Sequence, residues 1–433
     1  MRPSIAAVSP PEPASAASPR SSLRGKTVIF VSLLEPWSVA SEVGAPSFYE
    51  TLKGYIRAGA RVHYITSVKD GVSEDAHARE IPAGLPELIV HRFRIPRLLV
   101  GRRLQSKAVR LVQFPLLAAR QIQSVAQEHG ADLVYAYESS AVLAAEWLRR
   151  RDVLPAPYIA RYQGTILGAR YDERWYAVRK LESLLSLQAR ASAYVMTDDG
   201  TLGDQALRYW NDNITDENLL FMRNGIDLSI GDLRVDRAKE LASRGLDPGD
   251  TYLLTVCRLI EWKRVDRAIR VVAALKFRFP RLRLLVCGDG PARSSLERLA
   301  ADCDVQAQVR FLGGQSRADV GVLMHCADLF LSLYDVSNCG NPLFEALLAG
   351  KPLITLNNGA TASVIQDGVN GRIIDPAQEE LLPQLTSELL LSPSLRKQLA
   401  AGAREWARNQ LYSWEERIER EISWLRRLIP TLR

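Results

Sequence analysis

The sequence SLYDVSNCGNPLFEALLAGKP, residues 332–352, contains the pattern that decides the fold. A short apolar strand ends in a polar loop, the chain turns at residues 340–342, and a helix begins near Leu343 with Glu345 in its first turn. Free amides at a helix N-terminus can hold phosphate or sugar oxygens, and an ionised glutamate can accept hydrogen bonds from two ribose hydroxyls. Glu345 could also simply complement the helix dipole, so the local pattern leaves both interpretations open.

Short apolar runs alternate with helical segments on both sides of this stretch. In the second half they predict strands at 252–256, 282–287, 308–312, 328–333, 352–355 and 372–374. In the first half they predict strands at 26–34, 60–67, 132–136, 157–162 and 193–197. Alternation of this kind indicates parallel, doubly wound sheets, so we expect an α/β protein with two Rossmann-like domains facing each other across a cleft.

Length and composition agree with two globular domains. The 433 residues are 47% hydrophobic and 24% charged, and no apolar run approaches the roughly 20 residues of a membrane-spanning helix. Residues 1–24 are rich in Pro, Ala and Ser and lack the apolar core of a secretory signal, which predicts a disordered tail. All five cysteines lie in the second half without zinc-ligand spacing, which is typical of free thiols in the cytoplasm.

The basic residues of the chain are concentrated in one segment. The formal charge is +7, and residues 91–120 contain no acidic residue while Lys and Arg alternate with apolar side chains. The basic residues are Arg92, Arg94, Arg97, Arg102, Arg103, Lys107, Arg110 and Arg120. This mixture predicts peripheral contact with an anionic membrane or with a charged acceptor, although a solvated basic helix face has the same pattern. We expect no nucleic-acid partner.

Two cations and two glycine turns follow predicted strands of the second half. Arg258 and Lys263 come directly after the strand at 252–256, where they could bind a diphosphate or lie in solvent. Gly288 and Gly290 follow the next strand, and Gly313 ends the one after that. Two glycines permit a tight turn and a close approach by a ligand, but they also occur in ordinary turns.

These motifs occur in the order found in the family 4 retaining glycosyltransferases, which the chain resembles from about Lys26 to about Pro376. RLIEWKRVD (258–266) matches the family pattern R-L-x-x-x-K-G-x-D, and CGDGP (287–291) matches its G-x-G-P turn. GNPLFEALLAGKPLI (340–354) is similar to G-L-P-L-L-E-A-M-A-x-G-x-P-V-I. The resemblance implies a GT-B fold.

Further segments carry the same resemblance. VRFLG (309–313), DGVNGRIIDP (367–376) and RNGID (223–227) are similar to the family's V-x-F-L-G, D-G-x-x-G-x-L-V-x-P and interdomain N-G-V-D. Near the N-terminus, residues 43–66 look like the family's first loop and helix, with Gly44-Ala45 where two glycines are usual.

The resemblance implies a role for each matching residue. Arg258 and Lys263 would bind the diphosphate of a nucleotide sugar and stabilise the charge that develops as the sugar bond breaks. Glu345 would hold the ribose hydroxyls, and amides around Gly340 and Asn341 would meet the β-phosphate and the sugar.

The glycines of the motifs have implied roles as well. Gly44 and Ala45 would let the N-terminal loop approach the phosphate. The turns at Gly288, Gly290 and Gly313 would flank the base.

The sequence departs from the family pattern at two places. The family has a second Glu eight residues before Glu345, where this chain has Ser337, and an alternative alignment makes Asp335 the substitute carboxylate in a longer loop. The loop residues Asn338, Cys339 and Asn341 would then contact the donor, the two asparagines with amides able to recognise sugar hydroxyls.

The second departure is Gln163, which stands in RYQGT (161–165) where the family often has His. Glutamine cannot act as an acid or base at neutral pH, but its amide could still contact the donor.

The domain organisation follows from the same comparison. Residues 25–225 would form the acceptor-binding domain and residues 226–405 the domain that binds the nucleotide sugar, while 406–433 would return to the first domain as a helix. The implied function is metal-independent retaining transfer of a hexose from a UDP or GDP sugar to a glycan, lipid-linked or small-molecule hydroxyl, without a cofactor. The alternative is a non-catalytic protein that binds sugar nucleotides or acts as a scaffold on the same fold.

Overall fold

The computed structural model describes residues 22–34, 46–68, 85–97 and 101–433. The predicted tail lies almost entirely outside the described residues, as do Gly44 and Ala45. The described residues form two parallel β-sheets, each covered by helices on both faces. The expected fold class, two doubly wound Rossmann-like domains, is confirmed.

The N-terminal sheet has seven strands in the order β3-β2-β1-β4-β5-β6-β7, all of them parallel. These strands are β1 Thr27–Val31, β2 Arg61–Val68, β3 Ile89–Arg94, β4 Leu133–Tyr137, β5 Tyr158–Tyr162, β6 Ala193–Thr197 and β7 Leu219–Met222. The helices are α1 Pro46–Arg57, α2 Arg102–Ala108, α3 Phe114–His129, α4 Ser139–Arg149, α5 Arg174–Arg179, α6 Leu181–Leu187 and α7 Gly203–Trp210, with a π-helical turn at Val109–Gln113. Two apolar clusters fill the two faces of this sheet.

The C-terminal sheet has six parallel strands in the order β10-β9-β8-β11-β12-β13. Its strands are β8 Thr251–Val256, β9 Leu282–Cys287, β10 Val309–Gly313, β11 Leu329–Ser332, β12 Leu353–Leu356 and β13 Arg372–Ile374. Its helices are α8 Arg237–Ser243, α9 Val265–Leu275, α10 Arg293–Asp302, α11 Arg317–Cys326, α12 Asn341–Leu348, α13 Leu382–Leu391 and α14 Pro393–Gln410. The last long helix, α15, spans Trp414–Leu428.

The sequence analysis missed two strands, β3 and β7. Both are edge strands of the N-terminal sheet, and their side chains are only partly buried. Because an edge strand needs fewer apolar side chains, IVHRFR and LLFM lack the buried pattern used for prediction. The basic segment 91–120 is therefore not one continuous surface helix, since it begins in β3 and includes α2 and the π-helical turn.

The chain crosses between the domains twice at one place. Ile226 forms a parallel bridge with Ser413, and its N–H donates to the carbonyl of Tyr412 at 3.0 Å. A Cβ on Gly225 would lie 2.4 Å from the Cα of Trp414, so the close crossing requires glycine there. The first predicted boundary, after residue 225, falls at this crossing.

The second predicted boundary, after residue 405, falls inside α14. Trp406 belongs with the C-terminal core, because its ring stacks on Phe344 with 6.2 Å between centroids. The chain returns to the N-terminal domain only after α14 ends at Gln410. The periodic pattern of the sequence marks helices well but does not show which domain a helix packs against.

Helix α15 packs on the N-terminal domain and carries a buried ion pair within the helix. Arg417 and Glu421 are fully buried, and Nη2 of Arg417 lies 2.6 Å from Oε2 of Glu421. The hydroxyls of Tyr55 and Tyr135 both donate to Oε1 of Glu421 at 2.9 Å. The carboxylate therefore connects the C-terminal helix to α1 and β4.

No helix among the described residues is both long and apolar enough to cross a lipid bilayer.

Replacing Glu421 by Gln should destabilise the N-terminal domain strongly. The substitution leaves the guanidinium of Arg417 buried without a counter-charge, which costs about 3–5 kcal/mol in comparable cases. Urea unfolding followed by circular dichroism measures the loss. Glu419→Gln on the same helix is the control and should change stability by less than about 0.5 kcal/mol. Equal unfolding midpoints for both variants would show that the pair is dispensable.

Candidate active site

The carboxyl ends of the two sheets meet across the cleft. The hydroxyl of Ser337, which follows β11, donates to the backbone carbonyl of Asp199, which follows β6. The N–H of Ala360 donates to the carbonyl of Gly200 at 2.9 Å. On one side, Arg317 of α11 reaches Glu50 of α1 at 3.1 Å. Loops that follow strands of both domains therefore line one shared space.

Each sheet reverses its strand order at one point, and these points determine where ligands bind in such folds. In the C-terminal sheet the reversal lies between β8 and β11, and in the N-terminal sheet it lies between β1 and β4. Crevices outside the carboxyl ends at a reversal are the usual ligand sites of doubly wound sheets. Arg258 and Lys263 follow β8, and the loop containing residues 333–340 follows β11. The predicted donor-binding segments thus flank the reversal of the C-terminal sheet.

Two glycines hold the backbone of the loop that carries Arg258. A Cβ on Gly288, where φ is +130°, would lie 1.9 Å from the carbonyl oxygen of Cys257, and one on Gly290 would lie 2.4 Å from that of Leu259. The N–H of Gly288 donates to the carbonyl of Gly313 at 2.7 Å, which joins the turn after β9 to the end of β10. With the backbone held in this way, the side chain of Arg258 is exposed just beyond the carboxyl end of β8.

Lys263 lies at the end of the same loop, packed against two rings. Its Nζ is 4.1 Å from the ring centroid of Trp262 and 3.7 Å from that of Tyr334. Burial lowers the pKa of Lys263 to about 8, and the opposite charge of Asp199 across the cleft limits this shift. The ammonium is therefore poorly hydrated, so an anion that enters the cleft would gain from binding it.

Arg264 occupies the position where the family pattern has glycine, and its conformation explains that pattern. It adopts a left-handed conformation with φ +44° directly before α9. This conformation is unfavourable for residues with a Cβ. Ion pairs of its guanidinium with Asp266 at 3.0 Å and Asp335 at 3.3 Å hold the side chain in place.

Asp335, one of the two candidates for the missing family glutamate, is engaged elsewhere. Its carboxylate pairs with Arg267 at 2.6 Å as well as with Arg264. Ser337, the other candidate, faces Asp199 and accepts the N–H of Cys339 at 3.2 Å. Neither position therefore offers a free carboxylate to a ligand.

The rest of this loop divides into buried and accessible residues. Asn338 is fully buried and accepts the N–H of Tyr334 at 3.0 Å while donating to the carbonyl of Leu356 at 3.1 Å. Its amide therefore supports the loop, and these contacts give no support to a role in recognising sugar hydroxyls. Cys339 is also buried, whereas Gly340 and Asn341 at the start of α12 remain partly accessible.

Glu345 is partly buried and lies in the second turn of α12. The expectation that it occupies the first turn was wrong, because the helix begins at Asn341 and not near Leu343. Burial raises the pKa of Glu345 to about 7, and the positive charge of Arg317 opposes this rise. Among the described residues, none donates a hydrogen bond to its carboxylate. The group is thus free to accept hydrogen bonds from a ligand once it is ionised.

Gln163 connects several elements on the N-terminal side of the cleft. Its amide nitrogen donates to the hydroxyls of Ser47 and Tyr137, and its carbonyl accepts the amide of Asn224 at 3.3 Å. The predicted donor-binding residue Gln163 therefore fixes the ends of β4 and β5 relative to α1. Its side chain is occupied by these partners.

The sequence analysis missed two carboxylates beside Gln163. Glu138 follows β4 with φ +72°, and one of its carboxylate oxygens accepts the N–H of Gln163 at 3.0 Å. Burial raises the pKa of Glu138 to about 7 and that of Asp199 to about 6. A left-handed glutamate and two shifted carboxylates are typical of functional sites. The sequence feature that could have identified these two carboxylates is their position just after the strands β4 and β6.

Comparison with known proteins relates the C-terminal part of the chain to one family. Residues 236–406 match the family described as glycosyl transferases group 1. The chain is 34% identical over 194 residues to a D-inositol 3-phosphate glycosyltransferase of Salinispora arenicola, covering 42% of this chain and 43% of that protein. It is 26% identical over 181 residues to a GDP-mannose-dependent α-(1-6)-phosphatidylinositol monomannoside mannosyltransferase of Mycobacterium tuberculosis, covering 40% and 47%. The matched part thus spans less than half the length of these relatives.

Solved structures extend the likeness to nearly the whole chain. The Anabaena protein Alr3699/HepE in complex with UDP aligns with a TM-score of 0.66 at 18% identity, covering 92% of this chain and 98% of that one. Sucrose-phosphate synthase from Thermosynechococcus elongatus aligns with a TM-score of 0.71 at 17% identity, covering 93% and 98%. At this identity the likeness concerns the fold, which is GT-B. Residues 236–406, less than half of the chain, thus carry the match to the family of glycosyl transferases group 1.

Proposed function

We propose that this chain is a metal-independent, retaining hexosyltransferase that uses a UDP or GDP sugar. The observation that carries the proposal is the arrangement at the β8/β11 reversal, where Arg258 and Lys263 follow β8 while the start of α12 and Glu345 follow the neighbouring strand β11. A nucleoside diphosphate sugar needs cations for its phosphates and acceptors for its ribose hydroxyls. These two needs are met by the two loops that flank one crevice.

On the donor side, charge and hydrogen bonding are supplied by different elements. Arg258 offers an exposed guanidinium, while Lys263 offers a half-buried ammonium packed against the rings of Trp262 and Tyr334. Partly accessible backbone at Gly340 and Asn341 lies at the positive end of the α12 dipole. Glu345 accepts the ribose hydroxyls.

Retaining transfer on this site needs no protein base. The leaving phosphate oxygen takes the proton of the acceptor hydroxyl on the same face of the sugar, as the bond from the anomeric carbon to that oxygen breaks. Arg258 and Lys263 offset the negative charge that develops on the diphosphate. These two cations serve the role that a divalent metal has in metal-dependent transferases.

The acceptor binds the N-terminal domain at the β1/β4 reversal. Glu138, Asp199 and the amide network of Gln163 lie at the carboxyl ends of β4, β6 and β5. Carboxylates there can accept a hydrogen bond from the attacking hydroxyl and orient it. The names of the two curated relatives, which refer to an inositol phosphate and a phosphatidylinositol mannoside, favour a polar hydroxyl acceptor that can be attached to a lipid.

An exposed apolar and basic surface on the N-terminal domain would suit such an acceptor. The α5–α6 segment exposes Trp175 by 85%, together with Val178, and Val112 of the π-helical turn is 51% exposed. Arg110 of that turn and Glu182 of α6 lie 3.9 Å apart, so these elements adjoin. Apolar side chains next to Lys107 and Arg110 favour peripheral binding to anionic lipid at the cytoplasmic face. The sequence analysis found the basic part of this surface but not Trp175.

Transfer assays with UDP-, GDP- and ADP-sugars test the proposed activity. Arg258→Ala and Lys263→Ala should each lower kcat/KM by ~10²–10³, because each removes a cation that stabilises the leaving diphosphate. Arg270→Ala, an exposed cation on α9, is the matched control and should retain wild-type kinetics. Turnover that persists in EDTA is expected.

Two outcomes of these assays would contradict the proposal. Unchanged turnover in both the Arg258 and Lys263 variants would remove the assigned site. Donor binding without turnover over a broad acceptor panel would instead indicate a non-catalytic sugar-nucleotide-binding protein.

The affinity for UDP-glucose should depend on pH with a maximum between the pKa of Glu345, about 7, and that of Lys263, about 8. Below this window Glu345 is protonated and cannot accept two hydroxyls, and above it Lys263 loses its charge. Each limb should fall by up to ~tenfold per pH unit. Calorimetric titration from about pH 6 to about pH 9 measures the profile.

Two variants assign the limbs of that profile. Lys263→Arg should remove the upper limb because arginine stays protonated, and Glu345→Gln should remove the lower one. A wild-type affinity that does not vary with pH would contradict the assignment of both groups.

Trp175→Ser combined with Val112→Ser should lower binding to phosphatidylglycerol vesicles by at least ~tenfold, because two exposed apolar side chains no longer enter the lipid. Co-sedimentation measures the bound fraction, which should also fall as salt rises. Phe277→Ser is the control, since Phe277 is 89% exposed on the C-terminal domain. Equal loss in the control, or equal binding by the double variant and wild type, would exclude this surface.

A further inference from the structure

Three histidines from separate elements meet on one face of the N-terminal sheet. They are His63 of β2, His91 of β3 and His129 at the end of α3, and one ligand nitrogen from each lies within 4.8 Å of the other two. Nδ1 of His63 lies 2.9 Å from Nε2 of His91. The ring centroid of His63 is 4.5 Å from that of His129. Three of the five histidines of the chain therefore lie together.

The sheet register explains why the side chains meet. His91 pairs with Ile65, so His63 lies two residues away along β2 with its side chain on the same face. Helix α3 runs back over this face and ends at His129, above the first half of β2. The cluster therefore lies toward the amino ends of the strands, whereas the cleft is at their carboxyl ends.

One nitrogen of the cluster is buried without a partner. His63 is completely buried, and its Nε2 has no hydrogen-bond partner among the described residues. An unpaired buried nitrogen is costly unless something binds it.

From this geometry we propose that His63, His91 and His129 bind a divalent transition-metal ion of the zinc class. Three imidazoles at 2.0–2.1 Å from Zn²⁺ would have their nitrogens about 3.4 Å apart, which small ring rotations achieve from the observed separations. Imidazole ligands suit zinc, copper and nickel better than magnesium or calcium.

Glu128 is the neighbouring group that can complete or orient this ligand set. Its Oε1 lies 3.4 Å from Nε2 of His129, and its side chain is 71% exposed. It can thus supply an oxygen ligand or accept a hydrogen bond from the ring of His129, with water in a remaining position. The metal would fasten the edge strand β3 and the end of α3 to β2. It would not take part in sugar transfer, which the cleft performs without it.

Metal binding to the full chain, prepared without a histidine tag and stripped with EDTA, tests the proposal. Equilibrium dialysis against Zn²⁺ should give one tightly bound ion per chain. His91→Phe keeps a ring in the stack, and His129→Ala changes a partly exposed side chain. Each should weaken binding by at least ~10²-fold, since even outer-sphere partners contribute 10–100-fold. Zn²⁺ should also raise the thermal midpoint of the wild type and not of these variants.

Control variants and a spectroscopic probe separate this site from other zinc binders. His325 lies in the C-terminal domain with Nε2 2.7 Å from the carbonyl of Ile230, and His325→Asn should retain the bound ion. Bound Co²⁺ should show weak visible bands without the near-ultraviolet charge-transfer band of a thiolate, which the five cysteines would give. The EDTA-treated variants should unfold in urea with midpoints close to that of the EDTA-treated wild type.

Two results would overturn the proposal. One is Zn²⁺ affinity in the His91→Phe/His129→Ala double variant equal to that of the wild type. The other is a Co²⁺ spectrum with a thiolate band that persists in that double variant.

Discussion

The close crossing of the two interdomain segments, 223–226 and 411–414, is the constraint on which the site depends. It fixes how the two sheets face each other, because Ile226 pairs with Ser413 and Gly225 admits Trp414 without a side chain between them. With this crossing in place, the carboxyl ends of both parallel sheets point into one cleft. The strand-order reversals β8/β11 and β1/β4 then provide a crevice on each side.

Burial in this cleft shifts the pKa values of four ionisable groups in the same sense. It lowers the pKa of Lys263 and raises those of Glu345, Glu138 and Asp199, in each case favouring the neutral form. A bound diphosphate would raise the pKa of Lys263 again, and hydroxyl donors would favour ionised carboxylates. Ligand binding and proton binding are therefore linked at the site.

The outer part of the N-terminal domain has a different character from the cleft. Among the described strands, β3 pairs with β2 alone at the edge of the sheet, and it contributes His91 to the histidine cluster. Farther along the chain, the π-helical turn and the α5–α6 segment expose apolar side chains beside basic ones. In this fold the cleft contains the groups suited to sugar transfer. The outer edge contains groups suited to binding lipid or to stabilising the edge of the domain.

The sequence by itself determined the fold class and the positions of the buried strands along the chain. These features depend on local patterns, such as apolar runs bounded by turns and glycines that admit close backbone contacts. It also singled out Arg258, Lys263 and Glu345 as candidates, and these lie in the segments that follow β8 and β11. Only the tertiary structure showed that Asp335 forms ion pairs with Arg264 and Arg267. It also showed that the amide of Asn338 forms hydrogen bonds with backbone groups. Partners far apart in sequence cannot be read from local pattern.

The same reason explains what the sequence analysis did not find. Many strands are followed by an acidic residue, so the sequence does not distinguish Glu138 and Asp199. They are distinguished by their raised pKa values, which depend on burial and on neighbouring groups. The histidines at positions 63, 91 and 129 are unremarkable along the chain and meet only through sheet register and the path of α3. Local sequence fixes periodicity and turn chemistry, whereas packing between distant segments fixes which charges are buried, which are paired and which remain free for a ligand.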